Sequence, residues 1–129
     1  MSLVAEHMSR DLLTVSADDR LGEAAKRMVA RGVGAVLVMA GERLDGILTE
    51  RDLMRAVAGG YSEGAKVSEW MTRHPEMIDA ADTTDHAASL MIHGGFRHLP
   101  VVEEGHVAGI ISIRDLMRVA LADSAPRGV

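Results

Sequence analysis

Two short segments hold the side chains best suited to chemistry. One reads Gly46-Ile47-Leu48-Thr49-Glu50-Arg51-Asp52 and the other Gly109-Ile110-Ile111-Ser112-Ile113-Arg114-Asp115. Each sets a hydroxyl three residues before a carboxylate, after a glycine and two aliphatics. That order suits a strand running into a helix, with the hydroxyl at the N-cap and the acid in the first turn. A helix N-terminus presents free N–H groups and the positive end of a dipole, which favour a phosphate. A carboxylate there can accept hydrogen bonds from both hydroxyls of a ribose, the logic of the ribose-binding acid in dinucleotide sites. The glycine admits a ligand or another backbone at close range. The same hydroxyl and acid also make a capping box, which needs no ligand. The spacing leaves both readings open.

Other chemistries find less support. His86 and His93 fall about two turns apart on one expected helix, too far for the i, i+4 pair of a zinc helix. His7, His74 and His106 lie in separate segments. No Gly-x-Ser-x-Gly motif and no Walker-type loop occurs. Asp18-Asp19 and Glu103-Glu104 read as a cap and a solvated turn. The expectation is a chain with no metal site and no catalytic residues.

Composition bounds the rest. In 129 residues, apolar types make up 47% and aromatics 2%, so Val, Ile, Leu, Met and Ala must build the core. Nine methionines suit an adaptable interior or apolar surfaces that repack. With no cysteine, disulfides and thiolate-bound metals are excluded. No apolar run approaches the roughly 18 residues of a membrane span, and no signal peptide is evident. The net charge of −5 argues against nucleic-acid binding. A soluble cytoplasmic protein is the expectation.

The elements that must position these residues come in duplicate. Laying Val4 on Val67 and keeping that shift brings Val4-Ala-Glu-His-Met8 onto Val67-Ser-Glu-Trp-Met71. It brings Ala24-Ala25 onto Ala87-Ala88, Met28 onto Met91 and Gly32 onto Gly95. It also brings Arg51-Asp52-Leu53-Met54-Arg55 onto Arg114-Asp115-Leu116-Met117-Arg118 without a gap. Each copy opens with a short amphipathic turn and a brief strand, Leu13 to Val15 or Met77 to Ile78. A helix follows, with Asp19 or Asp82 expected as cap or first-turn acid and Gly32 or Gly95 as C-cap. Then come two hairpin strands, Val36 to Ala40 with Leu44 to Thr49 across Gly41-Glu42-Arg43, and Leu99 to Val102 with His106 to Ile111 across Glu103-Glu104-Gly105. A last helix runs from about Glu50 to Ala58, and again from about Arg114 to Ala122. The fold class expected is α/β in the α+β sense: two β-α-β-β-α repeats packed sheet to sheet with pseudo-twofold symmetry. The partition expected is repeat one at 1–58, a linker at 59–66, repeat two at 67–122 and a flexible tail at 123–129. Arg55 and Arg118 read as solvated charge toward the helix C-terminus, and Trp70 as core or interface filler.

This duplicated unit resembles the CBS domain. The resemblance rests on Gly-aliphatic-aliphatic-Thr/Ser-x-x-Asp closing a repeat that opens with Val-x-x-x-Met-Ser/Thr, and it covers about Val4 to Leu121. It implies a tandem pair, or Bateman module, whose clefts between repeats bind AMP, ADP, ATP, NAD or S-adenosylmethionine. Carried over residue by residue, it implies that Asp52 and Asp115 hold ribose hydroxyls. Thr49 and Ser112 would contact ribose or phosphate, and Arg51 and Arg114 phosphate, for which a guanidinium fork is suited. Ile47 and Ile110 would flank adenine. Thr14, Val15 and Ala17, with Met77, Ile78 and Ala80, would hold its edge, partly through backbone groups. In Gly95-Phe96-Arg97-His98-Leu99-Pro100-Val101, Arg97 and His98 would reach phosphate, with Pro100 lining the same site. Their counterparts Gly34 and Ala35 cannot, so the two sites are expected to be unequal. The resemblance further implies a regulatory nucleotide sensor, a homodimer forming a disc of four repeats, and an effector protein that reads the bound state. A dimerisation scaffold with non-binding clefts is the alternative. A transcription-linked regulator is disfavoured by the acidic balance and the lack of a helix-turn-helix.

Overall fold

A computed structural model describes residues 2–124. The end of the expected tail, residues 125–129, lies outside the described residues. The chain forms two compact units, one from Leu12–Pro75 and one from residues up to Asp11 together with Glu76 onward. The sequence repeats and the compact units therefore divide the chain differently. The opening turn of each repeat packs in the unit that holds the other repeat's sheet.

The Leu12–Pro75 unit contains β1 (Thr14–Val15), α1 (Leu21–Arg31), β2 (Ala35–Ala40), β3 (Arg43–Thr49), α2 (Glu50–Gly59), α3 (Val67–Trp70) and β4 (Thr72–Arg73). Its sheet has the order β1-β2-β3-β4. β1 runs parallel to β2, and the β2–β3 hairpin is antiparallel, with Ala35 opposite Thr49. Leu21, Ala24 and Met28 from α1 close over Val15, Val36, Val38 and Leu48, with Val67 and Met71 from the opening turn. Trp70 is packed against this core, as expected of a filler.

The second unit repeats the plan. A 3-10 turn (Val4–Glu6) precedes β5 (Ile78–Asp79), α4 (Thr84–Gly94), β6 (His98–Glu103), β7 (His106–Ser112) and α5 (Ile113–Ser124), with sheet order β5-β6-β7. α5 continues through Ser124, into the stretch expected as tail. Val4, Ile78, Ala87, Met91, Leu99, Val101 and Ile111 form its core. The duplication extends to irregularities. A register shift falls between Val38 and Met39 in one hairpin and between Val101 and Val102 in the other.

The opening turns are fastened in the same way. The Val4 and Ala5 amides donate to the carbonyls of Asp82 and Ala80, and those of Val67 and Ser68 to Asp19 and Ala17. Glu6 and Glu69 close the turns by accepting from the Leu3 and Lys66 amides. Arg10 then clasps Glu103 through two hydrogen bonds of 3.0 Å, tying the N-terminal segment to β6. That bond holds the Glu103 carboxyl below its ordinary value.

Three local expectations need correction. Asp19 and Asp82 are not N-caps. The N-cap of α1 is Arg20, without a side-chain bond, and Asp19 instead accepts from the Ser16 amide in the turn before it. The N-cap of α4 is Thr83, which accepts from the His86 amide. The hairpin loops are two residues long, Gly41-Glu42 and Glu104-Gly105, because the strands extend a residue further than expected. Glycines do end α1 and α4 as expected, with Gly32 at φ 66° and Gly95 at φ 72°.

Asp82 pairs with His86 at 2.6 Å, and that hydrogen bond is the chief reason its carboxyl is held below the ordinary value. A carboxyl lowered in the folded state contributes stability above its unfolded value, and that contribution is lost as pH falls through the folded value. Urea midpoints taken from about pH 5 down to about pH 3 should therefore fall more steeply in the wild type than in His86→Ala. Parallel curves would show that the pair contributes nothing.

Candidate functional site

Both capping boxes form. The Thr49 amide and hydroxyl donate to Asp52 Oδ2 at 2.9 and 3.1 Å, and the Asp52 amide returns a bond to Thr49 Oγ1 at 3.3 Å. The Ser112 amide and hydroxyl reach Asp115 Oδ2 at 2.8 and 3.0 Å, with the return bond at 3.2 Å. Hydroxyl and acid thus stand where a strand end meets a helix start, as the spacing implied.

The carboxylates differ in what else they hold. Asp52 Oδ1 accepts from Arg55 Nη1 at 2.7 Å and from the Thr72 hydroxyl at 3.1 Å. Among the described residues, Asp115 Oδ1 has only Arg118 Nη1, at 3.3 Å. The Asp52 side chain is 2% exposed and that of Asp115 17%. Arg55 and Arg118 are therefore not simply solvated charge, because each folds back one turn onto the acid of its own motif.

The motif glycines also have a definite role. A Cβ on Gly46 would lie 2.5 Å from the Thr72 carbonyl oxygen, and one on Gly109 would lie 2.5 Å from that of Ser9. Met71 and Met8 sulfurs follow at 3.2 Å. Glycine is required at these positions because the segment after each opening turn crosses the strand there, as β4 against β3 and as Ser9 bridged to Ile110. Of the two possibilities left open by the sequence, close approach of another backbone accounts for the glycine.

The basic pair of the second repeat is brought to the helix start. His98 lies opposite Ser112 across β6 and β7, and the Arg97 carbonyl accepts from the Ile113 amide at 2.9 Å. Ser112, Arg114 and Asp115 therefore share one sheet end with Arg97 and His98. Arg97 and Arg114 are exposed and His98 is half-buried. In the other unit the Gly34 carbonyl accepts from the Glu50 amide and Ala35 faces Thr49, so an exposed Arg51 stands beside Thr49 and Asp52 without those two neighbours.

The residues expected to flank a base divide by sheet face. Thr14 and Ile47 share a row through Leu37, and Pro100 lies opposite Ile110. Alternation sets these rows on the face opposite Val15, Val36, Val38 and Leu48, or opposite Ile78, Leu99, Val101 and Ile111. Ile47 and Pro100 are buried, Thr14 and Ile110 half-buried and Met77 exposed. Val15, Ile78 and Ala80 turn into the helix-side cores and Ala17 packs against one, so their side chains are not directed to the other face. The Ala80 amide and carbonyl are both bonded, to Val102 and Ala5.

The sequence profile of the CBS domain matches residues 4–59 and 67–122. The chain belongs to the CBS domain family. The CBS domain-containing protein YhcV of Bacillus subtilis is 33% identical over 90% of this chain and 84% of its own. The CBS-domain protein ATU1752 of Agrobacterium tumefaciens is 41% identical, with TM-score 0.87 over 92% of this chain and 99% of its own. The CBS domain pair of protein MJ0100, solved with 5'-methylthioadenosine and S-adenosyl-L-methionine, is 25% identical, with TM-score 0.88 over 96% and 99%. Some curated CBS relatives are longer: the chain spans 21% of a matching protein of Arabidopsis thaliana, at 38% identity. As a CBS tandem the chain has a mixed α+β fold with two small sheets, as expected. Thr72, Arg55 and Arg118 were missed as partners of the motif acids, and Ser9 as the residue bridged to the motif at Ile110. The shift that lays Ser9 on Thr72 was the available signal.

Proposed function

We propose that this CBS pair is a regulatory module that binds an adenine nucleotide and does no chemistry on it. AMP, ADP and ATP are the first candidates, with NAD and S-adenosylmethionine next. The observation that carries the reading is the meeting of Arg97, His98 and Arg114 with Ser112 and Asp115 at the start of α5. Basic side chains at the positive end of a helix dipole suit phosphate, and the half-open Asp115 Oδ1 suits a ribose hydroxyl. The adenosine compounds bound by the MJ0100 pair support that ligand class. The Asp115 motif is the stronger of two sites, and Thr49, Arg51 and Asp52 serve the weaker. Thr14, Ile47, Met77, Pro100 and Ile110 would meet the base by side chain and Val15, Ala17 and Ile78 by backbone, whereas the Ala80 amide and carbonyl are already engaged within the unit.

Assembly completes the proposal. Val29 and Ile92 are exposed apolar residues at the same repeat position, as are Met54 and Met117. Equivalent apolar positions left exposed in both repeats favour a homodimer joined through helices, whose state an effector protein reads in the cytoplasm. Isothermal titration with AMP, ATP, NAD and S-adenosylmethionine is the test. Saturable heat with at least one is expected, and no heat with any would sink the sensor reading. The dimerisation scaffold remains a second reading, because both acids already serve as caps. It requires Asp52→Ala, Asp115→Ala protein to show the same thermal response to added nucleotide as wild type.

A further inference from the structure

The geometry points to Thr72 as a built-in competitor for the ribose position on Asp52, and we propose that it sets the affinity difference between the two motifs. The inference rests on the nucleotide-binding reading above. A carboxylate offers about four acceptor positions. Asp52 has four donors from other groups: the Thr49 amide and hydroxyl on Oδ2, and Arg55 and Thr72 on Oδ1. Among the described residues Asp115 has three, and the position matching Thr72 is the open one. The first ribose hydroxyl arriving at Asp52 must displace a donor, whereas the first arriving at Asp115 need not.

Arg55 does not make the difference, since Arg118 makes the same one-turn contact to Asp115. Its side chain is 57% exposed and can swing into water at little cost. Thr72 is held differently. Its backbone pairs with Ile47 in the β3–β4 ladder, fixing its Cα above the motif. Its side chain is exposed, so the carboxylate is released by a turn of that side chain while the backbone stays in the ladder. Ser9 occupies the equivalent position in the other unit, with its amide and carbonyl both bonded to Ile110. Among the described residues no bond joins the Ser9 hydroxyl to Asp115. The same chain crossing thus blocks one acid and leaves the other open. Ligand discrimination at the ribose is then independent of the phosphate asymmetry due to Arg97 and His98.

AMP and 2',3'-dideoxy-AMP would be titrated into full-length Asp115→Ala protein, with and without Thr72→Val. Valine keeps the β-branched shape suited to β4. Removing one competing hydrogen bond should tighten AMP binding by about three- to tenfold. Thr72→Ser, which restores a hydroxyl, should return the affinity to that of the Asp115→Ala parent. Thr72→Ala should reproduce the gain. The dideoxy compound should gain nothing, because it has no diol to offer the freed oxygen. A purely structural role for Thr72 would weaken AMP binding or leave it unchanged, and either result overturns the proposal, as does an equal gain with the dideoxy probe. If wild-type protein binds AMP and Thr72→Val changes nothing, this inference alone fails. If wild-type protein binds no AMP, the nucleotide reading fails with it.

Discussion

Replacing Asp52 by alanine is expected to cost about 2–4 kcal/mol of folding stability, against about 1–2 kcal/mol for Asp115→Ala. Both substitutions remove a cap that accepts from the amide of a strand-end residue and orders the first turn of a helix. The excess at Asp52 has two sources. Its side chain is almost completely buried, and it also accepts from Thr72, which links α2 to β4 across the unit. Losing it leaves the part-buried Thr49 amide and hydroxyl without their acceptor, the situation in which a missing partner costs most, while the exposed Arg55 and Thr72 can turn to water. Urea denaturation of the two single variants measures the difference. Equal midpoints would mean that the Thr72 and Arg55 contacts carry no net stability.

Gly46→Ala and Gly109→Ala should each lose more than about 3 kcal/mol, or fail to fold. The added methyl would stand 2.5 Å from a backbone oxygen in either case, and backbone cannot rotate away as a side chain can. Relief requires moving Thr72 off β3, or Ser9 off Ile110, which breaks the ladder at that edge. Gly22→Ala supplies the opposite result. It lies inside α1 with nothing within 4 Å of an added Cβ, so alanine should stabilise by about 0.5–1 kcal/mol. Thermal denaturation of the three variants gives the comparison. A mild effect at Gly46 would show that the crossing segment can yield.

Much of this was legible because duplication repeats its own signals. The shift from Val4 to Val67 aligned strands, helices and C-cap glycines, and hydrophobic spacing typed the helices. The contents of each unit were not legible. Periodicity says that Val4 and Val67 are inward, not which core receives them, since that depends on contacts far apart in sequence. β4 was missed because Thr72-Arg73 is too short to show alternation. Asp19 and Asp82 looked like caps because an acid near a helix start has several local partners to choose from, and here Asp19 took the Ser16 amide and Asp82 the Thr83 amide and the His86 ring. Arg55 and Arg118 were placed by helix position alone, yet an i, i+3 acid was within reach of each. The hydroxyl and acid of the motif were correctly located. The sequence could not show that one acid is saturated and the other is not, because that depends on a hydroxyl twenty positions away.

The offset between repeats and units also sets the order in which the protein can be finished. As the chain is synthesised, Leu12–Pro75 contains everything one unit needs and can close while the ribosome is still working. The residues up to Asp11 precede that unit in the chain yet belong to the other one, and they must wait for β7 before Ser9 can meet Ile110. Contacts so distant in sequence are slow to form. The nascent chain therefore carries Val4 and Met8 uncovered until β7 has emerged, and the unit holding Asp115 can be completed only after the segment of the unit holding Asp52 has been made.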